Sequence, residues 1–226
     1  MTIDSDKILH DLLNSLDSLE GIRPGEIPNI ALYMDQVTTF MDEHLSDCKR
    51  REDDKILTKT MINNYTKNNL LPPPVKKKYS KEHLYVLTFI YYFKNLLSIS
   101  DIQTLLNPLT EQFFEGNDTG SLDDIYKQIY NLCKGEISGI SKDVLEKAHL
   151  SEEAFSTVED TDSREFLQFF SLVSLLSFDV YMKKNIIESL IDDFASRSQQ
   201  EAPHTKSERK AEKAERKAEK AEQKSR

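Results

Sequence analysis

Pro72, Pro73 and Pro74 follow one another directly, and no regular hydrogen-bonded element runs through such a triplet. Before them lies a short polar helical pattern, about Thr58 to Asn68. After them come Lys76, Lys77 and Lys78, and then Ser80, a residue suited to capping a new helix. Residues 58–84, TKTMINNYTKNNLLPPPVKKKYSKEHL, therefore impose a fixed order: polar helix, forced stop, cationic loop, fresh helix start. Elsewhere punctuation is sparse. Six glycines and seven prolines serve 226 residues, while leucine, isoleucine and phenylalanine recur at helical spacing. The chain reads as all-α, or nearly so.

Periodicity divides it further. Ile8, Leu9, Leu12, Leu13, Leu16 and Leu19 make one apolar stripe behind the capping residues Asp4 and Ser5, and Gly21 to Pro28 reads as a connection. A second helix is expected within Ala31 to Leu45, with Met34, Val37, Phe40 and Met41 inward, followed by a charged loop from Cys48 to Asp54. Beyond the proline stop, Lys81 to Leu97 carries the core candidates Leu84, Leu87, Phe89, Ile90 and Phe93. Ser98 and Asp101 form a capping box for a helix expected to end at Leu106, before a boundary at Asn107-Pro108. Further helices are expected at Ser121 to Lys134, at Lys142 to Leu150, and from Asp162 to Phe194 with a break near Lys183-Lys184. Residues 196–226 change character. ERKAEKA occurs twice in tandem, and alanine as its sole apolar residue offers no coiled-coil seam, so a solvated helix or disorder is expected.

Bulk chemistry excludes several classes. Two cysteines, Cys48 and Cys133, stand far apart without CxxC spacing, which argues against a disulfide framework or a zinc site and suits a reducing cytoplasm. The N-terminus lacks a basic region followed by an apolar run. Phe166 to Phe178 is the most apolar window, too short for the roughly 20 residues that a bilayer demands, and reads as a buried core helix. No GxSxG, Walker, HExxH or Rossmann pattern appears, and the five histidines are scattered. His44 and Cys48 share an i,i+4 spacing, but two ligands fall short of a metal site. Neither an enzyme nor a cofactor is expected.

The net charge of −9 is unevenly spread. Residues 55–83 hold seven lysines against Glu82 alone, and residues 206–226 hold nine basic against five acidic side chains, leaving −19 for the remainder. Such a molecule presents one cationic face while its acidic part points away, beyond screening lengths of about 8 Å. In the helix at 58–68, Met61, Ile62 and Tyr65 can turn inward and leave Lys59, Thr60, Asn63, Asn64 and Lys67 outward. Paired asparagines are poor helix formers and mark either a helix end, a solvated face or a functional surface. With Lys76, Lys77, Lys78 and Tyr79 in the position of a wing, the layout is that of a winged helix-turn-helix reading duplex DNA.

The same residues carry a resemblance. Leu32 to Val37 reads LYMDQV and Thr58 to Tyr65 reads TKTMINNY, and from Ile27 to Leu106 the chain resembles MerR-type DNA-binding domains and, more closely, a MerR-related bacterial family of unknown function. MerR-like recognition helices end in Arg-Tyr-Tyr, then glycine, two leucines and proline; here stand Asn63-Asn64-Tyr65, then Asn69, Leu70-Leu71 and Pro72. Asn69 in place of glycine is the substitution that best tolerates a left-handed terminus. Asn63 in place of arginine exchanges a phosphate contact for an amide able to pair with adenine. The wing is shortened, with Lys76-Lys77 aligned on a Tyr-Arg pair.

The resemblance implies a cytoplasmic transcriptional regulator binding double-stranded DNA. Residues 1–26 would supply an N-terminal helix and linker, 27–107 the helix-turn-helix module, 110–195 a helical bundle for dimerisation or effector sensing, and 196–226 the charged tail. A homodimer is expected by analogy, with no membrane association and an unspecified small-molecule effector. The rival from another class is a protein-interaction adaptor of the same fold that has lost DNA contact, favoured by the missing arginine, the short wing and the acidic remainder.

Overall fold

A computed structural model of the chain describes residues 10, 11, 13, 21–116 and 120–222, with side chains described up to 198. The N-terminal stripe, apart from Leu13, lies outside the described residues. Among these, six helices and one two-stranded ribbon are present: β1 (Leu32–Tyr33), α1 (Met34–His44), α2 (Lys59–Lys67), β2 (Lys78–Tyr79), α3 (Lys81–Phe93), α4 (Ile99–Phe113), α5 (Leu122–Glu153) and α6 (Thr161–Glu222). The nearly all-α expectation holds. The chain divides into two units, Met1–Lys184 and Asn185–Arg226. The second consists of the remainder of α6, helical as far as Glu222.

The first unit is organised around α3. Residues 83–91 are buried without exception, so this helix packs on every side, as the run LYVLTFIY allows. Its start is fixed twice. The Ser80 amide donates to His83 Nδ1 at 2.9 Å, so the reciprocal half of the cap comes from an imidazole rather than a carboxylate. Asp123, at the start of α5, accepts from Lys81 Nζ at 2.6 Å, from Lys127 Nζ at 2.5 Å and from the Tyr85 hydroxyl. Hydrogen bonds from Lys127, Lys81 and Tyr85 hold its carboxyl well below the usual range.

His83 itself is 2% exposed, between the edges of the Tyr79 and Phe114 rings at 5.4 and 4.8 Å. Burial pushes its pKa down, opposed in part by the Pro72 and Pro73 carbonyls and the charge of Glu82. An unfolded histidine titrates near 6.5, so below that value the unfolded chain binds a proton that the folded one resists. Stability is expected to fall as pH drops from 7.5 towards 5.5. Urea midpoints across that window should decline more steeply for the wild type than for His83→Leu.

Four expectations are corrected. Helix α4 does not end at Leu106 but runs through Pro108 to Phe113, although its Ser98–Asp101 capping box forms as expected, with both amide bonds at 3.2 Å. Proline removes one ladder bond, that to the Thr104 carbonyl; Thr104 as a residue is only half-buried, and Thr110 Oγ1 bonds back to the Leu106 and Asn107 carbonyls. Second, the two short helices expected at 121–134 and 142–150 are one helix, α5. Gly135 and Gly139 sit within it, and a Cβ at either would meet nothing within 4 Å beyond the helix's own backbone; each helical glycine costs only about 1 kcal/mol. Third, α6 passes Lys183-Lys184 unbroken; Lys183 bonds back to Asp179 at 2.8 Å.

The fourth concerns Phe166 to Phe178, which is not a buried core helix. One face does pack on α5: Gln168 Nε2 donates to the Glu152 carbonyl at 2.6 Å, and Lys147 approaches Asp179 at 3.9 Å. The other face leaves Phe166, Phe170, Val173, Phe178 and Tyr181 exposed, with Phe166 and Phe170 stacked at 6.2 Å. Because the helix is continuous, Thr161–Ser198 is long and apolar enough to cross a membrane by length and composition, which the thirteen-residue window alone was not.

Candidate nucleic-acid interface

The segment that begins at Leu32 builds a compact cationic corner. Strand β1 pairs antiparallel with β2 in the register Leu32 with Tyr79 and Tyr33 with Lys78. Val75 and Lys78 exchange both backbone hydrogen bonds, at 3.1 and 3.0 Å, closing a two-residue hairpin turn over Lys76 and Lys77. Both turn residues have positive φ, +51° and +64°, the primed geometry that matches strand twist and normally selects asparagine or glycine. A side chain in this region is disfavoured by roughly 1–2 kcal/mol per residue. Two lysines in succession hold it here, with both side chains exposed.

Helix α2 opens on Thr58, whose Oγ1 accepts from the Met61 amide at 3.1 Å. It closes on Asn68 and Asn69. The Leu70 amide reaches the Tyr65 carbonyl at 2.8 Å and the Asn69 amide reaches that of Thr66 at 3.2 Å, with Asn69 at φ +56°. This is a Schellman terminus, and asparagine takes the left-handed site as its sequence position implied. Ile62 and Tyr65 face the core, Met61 is half-buried, and Lys59, Thr60, Asn63, Asn64 and Lys67 are all exposed. The division between inner and outer faces follows the periodicity.

Two contacts bring helix and hairpin to one place. Lys59, at the start of α2, pairs with Asp35 on the first turn of α1. Lys78, in β2, sits over the Tyr33 ring at 5.0 Å from its centroid. Tyr33 and Asp35 are two residues apart, so the first turn of α2 and the base of the hairpin flank the same β1–α1 junction. Sequence reasoning missed both junction residues. Both lie within the LYMDQV string, but as individual residues they read only as an aromatic and an acid at a helix start, which is common at helix N-termini. The Lys59–Asp35 pair is solvent-exposed on both sides, which limits its strength.

Tyr79 departs from expectation. It is 3% exposed, packed edge-on against His83, and burial pushes its phenol pKa up. As the second member of a two-residue strand it points to the core while Lys78 points away, so it supports the hairpin from beneath and is not available to a ligand. His44 also has a local role: its Nδ1 lies 3.0 Å from the Phe40 carbonyl and its ring packs on Phe40.

The same stretch of chain is what other proteins share. Residues 22–129 match the family model described as Domain of unknown function (DUF1836). The matched region spans β1, α1, α2, the hairpin, α3, α4 and the first two turns of α5, just under half of the chain. No curated protein and no solved structure matches the sequence. The matched region begins at Ile22, the first fully buried residue of the described fold, and contains every candidate contact residue.

Proposed function

We propose that residues 27–107 act as a MerR-like winged helix-turn-helix that binds duplex DNA. Helix α2 enters the major groove through Lys59, Thr60, Asn63, Asn64 and Lys67, and the hairpin sets Lys76, Lys77 and Lys78 against phosphates. The observation that carries this reading is the hairpin turn. Lysine is a poor choice for two consecutive left-handed positions, and strain retained at an exposed tip supports a role for the side chains themselves. Phosphate contacts position such a domain and amide contacts to base edges give it selectivity.

Retention of genomic fragments on filters at two salt concentrations tests the proposal, since specific retention must weaken as salt rises. The double variant Asn63→Ala, Asn64→Ala is expected to bind with similar overall affinity but to lose its preference among fragments. Each adenine-type pair lost reduces discrimination by about 1–3 kcal/mol. Selectivity that survives both substitutions would remove α2 from the base-reading role.

A regulator of this kind reads two half-sites as a homodimer. The exposed aromatic face of α6 supports self-association, because an apolar stripe of this extent is rarely left to water. Light scattering at micromolar concentration is expected to give twice the chain mass, and Phe170→Asp with Phe178→Asp should halve it. The Lys59–Asp35 ion pair favours a second reading, a protein-interaction adaptor in a cytoplasmic complex, since it offsets one of the five lysine charges offered to the duplex. Filter retention that is absent at both salt concentrations selects that reading.

A further inference from the structure

A groove of about 390 Å³ runs along α5 where the C-terminal end of α3 meets it. Tyr92 from α3 and Tyr126, Ile129, Cys133, Ile137 and Ile140 from α5 line it. The α5 contribution recurs at three- and four-residue steps over the fifteen residues from Tyr126 to Ile140, a trough about 21 Å long at a rise of 1.5 Å per residue. Ile129 and Ile140 stay 39% and 48% exposed, and Gly135 and Gly139 leave the middle of α5 open. A trough of that length with helical periodicity is shaped for another helix.

The chain itself arrives at its rim. Tyr126 donates from its hydroxyl to the Ile22 carbonyl at 2.6 Å, and a Cβ on Gly21 would lie 1.7 Å from the Tyr92 hydroxyl oxygen. With φ at +81°, Gly21 makes a turn that other residues resist, placed against two of the tyrosines that line the trough. Twenty residues precede it, and Ile8, Leu9, Leu12, Leu13, Leu16 and Leu19 lie among them on one helical face. From 8 to 19 that face is about 18 Å long as a helix, close to the length of the trough. Of the described positions there, His10 and Asp11 are exposed and Leu13 is half-buried. Residues 1–20 also hold five acids against one lysine, while the trough's one charged lining residue is Lys134.

We propose that the leucine stripe of residues 8–19 is the occupant of this groove, a strap folded back from Gly21 along α5 of the same chain. It covers the C-terminal end of the helix whose N-terminus anchors the hairpin, and it does so whether or not the hairpin binds DNA. Cys133 lies in the trough and provides the test. In full-length protein carrying Cys48→Ser, single cysteines replace Leu9, Leu12, Leu16 or Leu19 on the apolar face, and Asp11 or Ser18 on the polar face. Mild oxidation is expected to join Cys133 within one chain to at least one apolar-face cysteine, and to neither polar-face one, since a disulfide forms only where Cα atoms approach within about 7 Å. Non-reducing electrophoresis and mass measurement read the product. Absence of any intrachain bond from the four leucine positions overturns the proposal, as do equal yields from both faces. Bonds formed only between two chains overturn it too, because the occupant is then a second copy's segment.

Discussion

Replacing Lys76, Lys77 and Lys78 by alanine is expected to lower the slope of log affinity against log salt by about 2.7, from three phosphate contacts at about 0.9 each. Between 50 and 200 mM salt a slope of that size corresponds to about 40-fold in affinity. The effect should be uniform across sequences, since phosphates carry no base information. A second variant separates charge from fold. Lys76→Asn with Lys77→Gly places in the turn the dipeptide that its geometry prefers. Thermal stability is expected to rise by roughly 1 kcal/mol while DNA affinity falls, because the strain is relieved and two ammonium groups are lost. Titrations of fluorescent duplex at three salt concentrations, run beside melting curves, check both halves. An unchanged salt slope in the alanine variant would take the hairpin out of the interface.

The largest stability loss is expected at the centre of α3. Ile90 is fully buried in a helix packed on all sides, so Ile90→Ala leaves a cavity that cannot collapse towards solvent. A loss of about 2–5 kcal/mol follows, read from urea midpoints at constant m-value. Asn63→Ala on the exposed face of α2 should lie within about 0.5 kcal/mol of wild type. The contrast distinguishes residues that hold the domain together from residues it displays.

Much of this was legible from residue order because local signals agreed with one another. Thr58, the Asn68-Asn69 pair and the three prolines bracket α2 at both ends, and the structure places its ends within one residue of that bracket. Ser98 and Asp101 cap α4 for the same reason. The failures arose where packing outweighed a local signal. Pro108 reads as a stop, but Ile102 and Leu106 bury on one side, and Thr104, whose carbonyl loses its ladder partner, is only half-buried. The two helices expected at 121–134 and 142–150 are one, because the glycines between them, Gly135 and Gly139, lie on an open helix face that tolerates them. Phe166 to Phe178 looks like core from composition, because periodicity does not reveal how many of a helix's sides find partners. Tyr79 was misplaced by a different rule: alternation in a strand sends neighbours to opposite faces, and a one-residue choice decides which is wet.

Helix α3 spans thirteen residues, about 20 Å, with no soft interior along the buried stretch from His83 to Tyr91. One end meets the imidazole and tyrosine beneath the lysine-tipped turn; the other ends at the aromatic trough. Close-packed interiors transmit displacement instead of absorbing it. If, as proposed, the leucine stripe seats at the trough and a duplex at the turn, the two meet opposite ends of one stiff rod. By linkage, whatever factor the first imposes on the second's affinity is returned unchanged in the other direction.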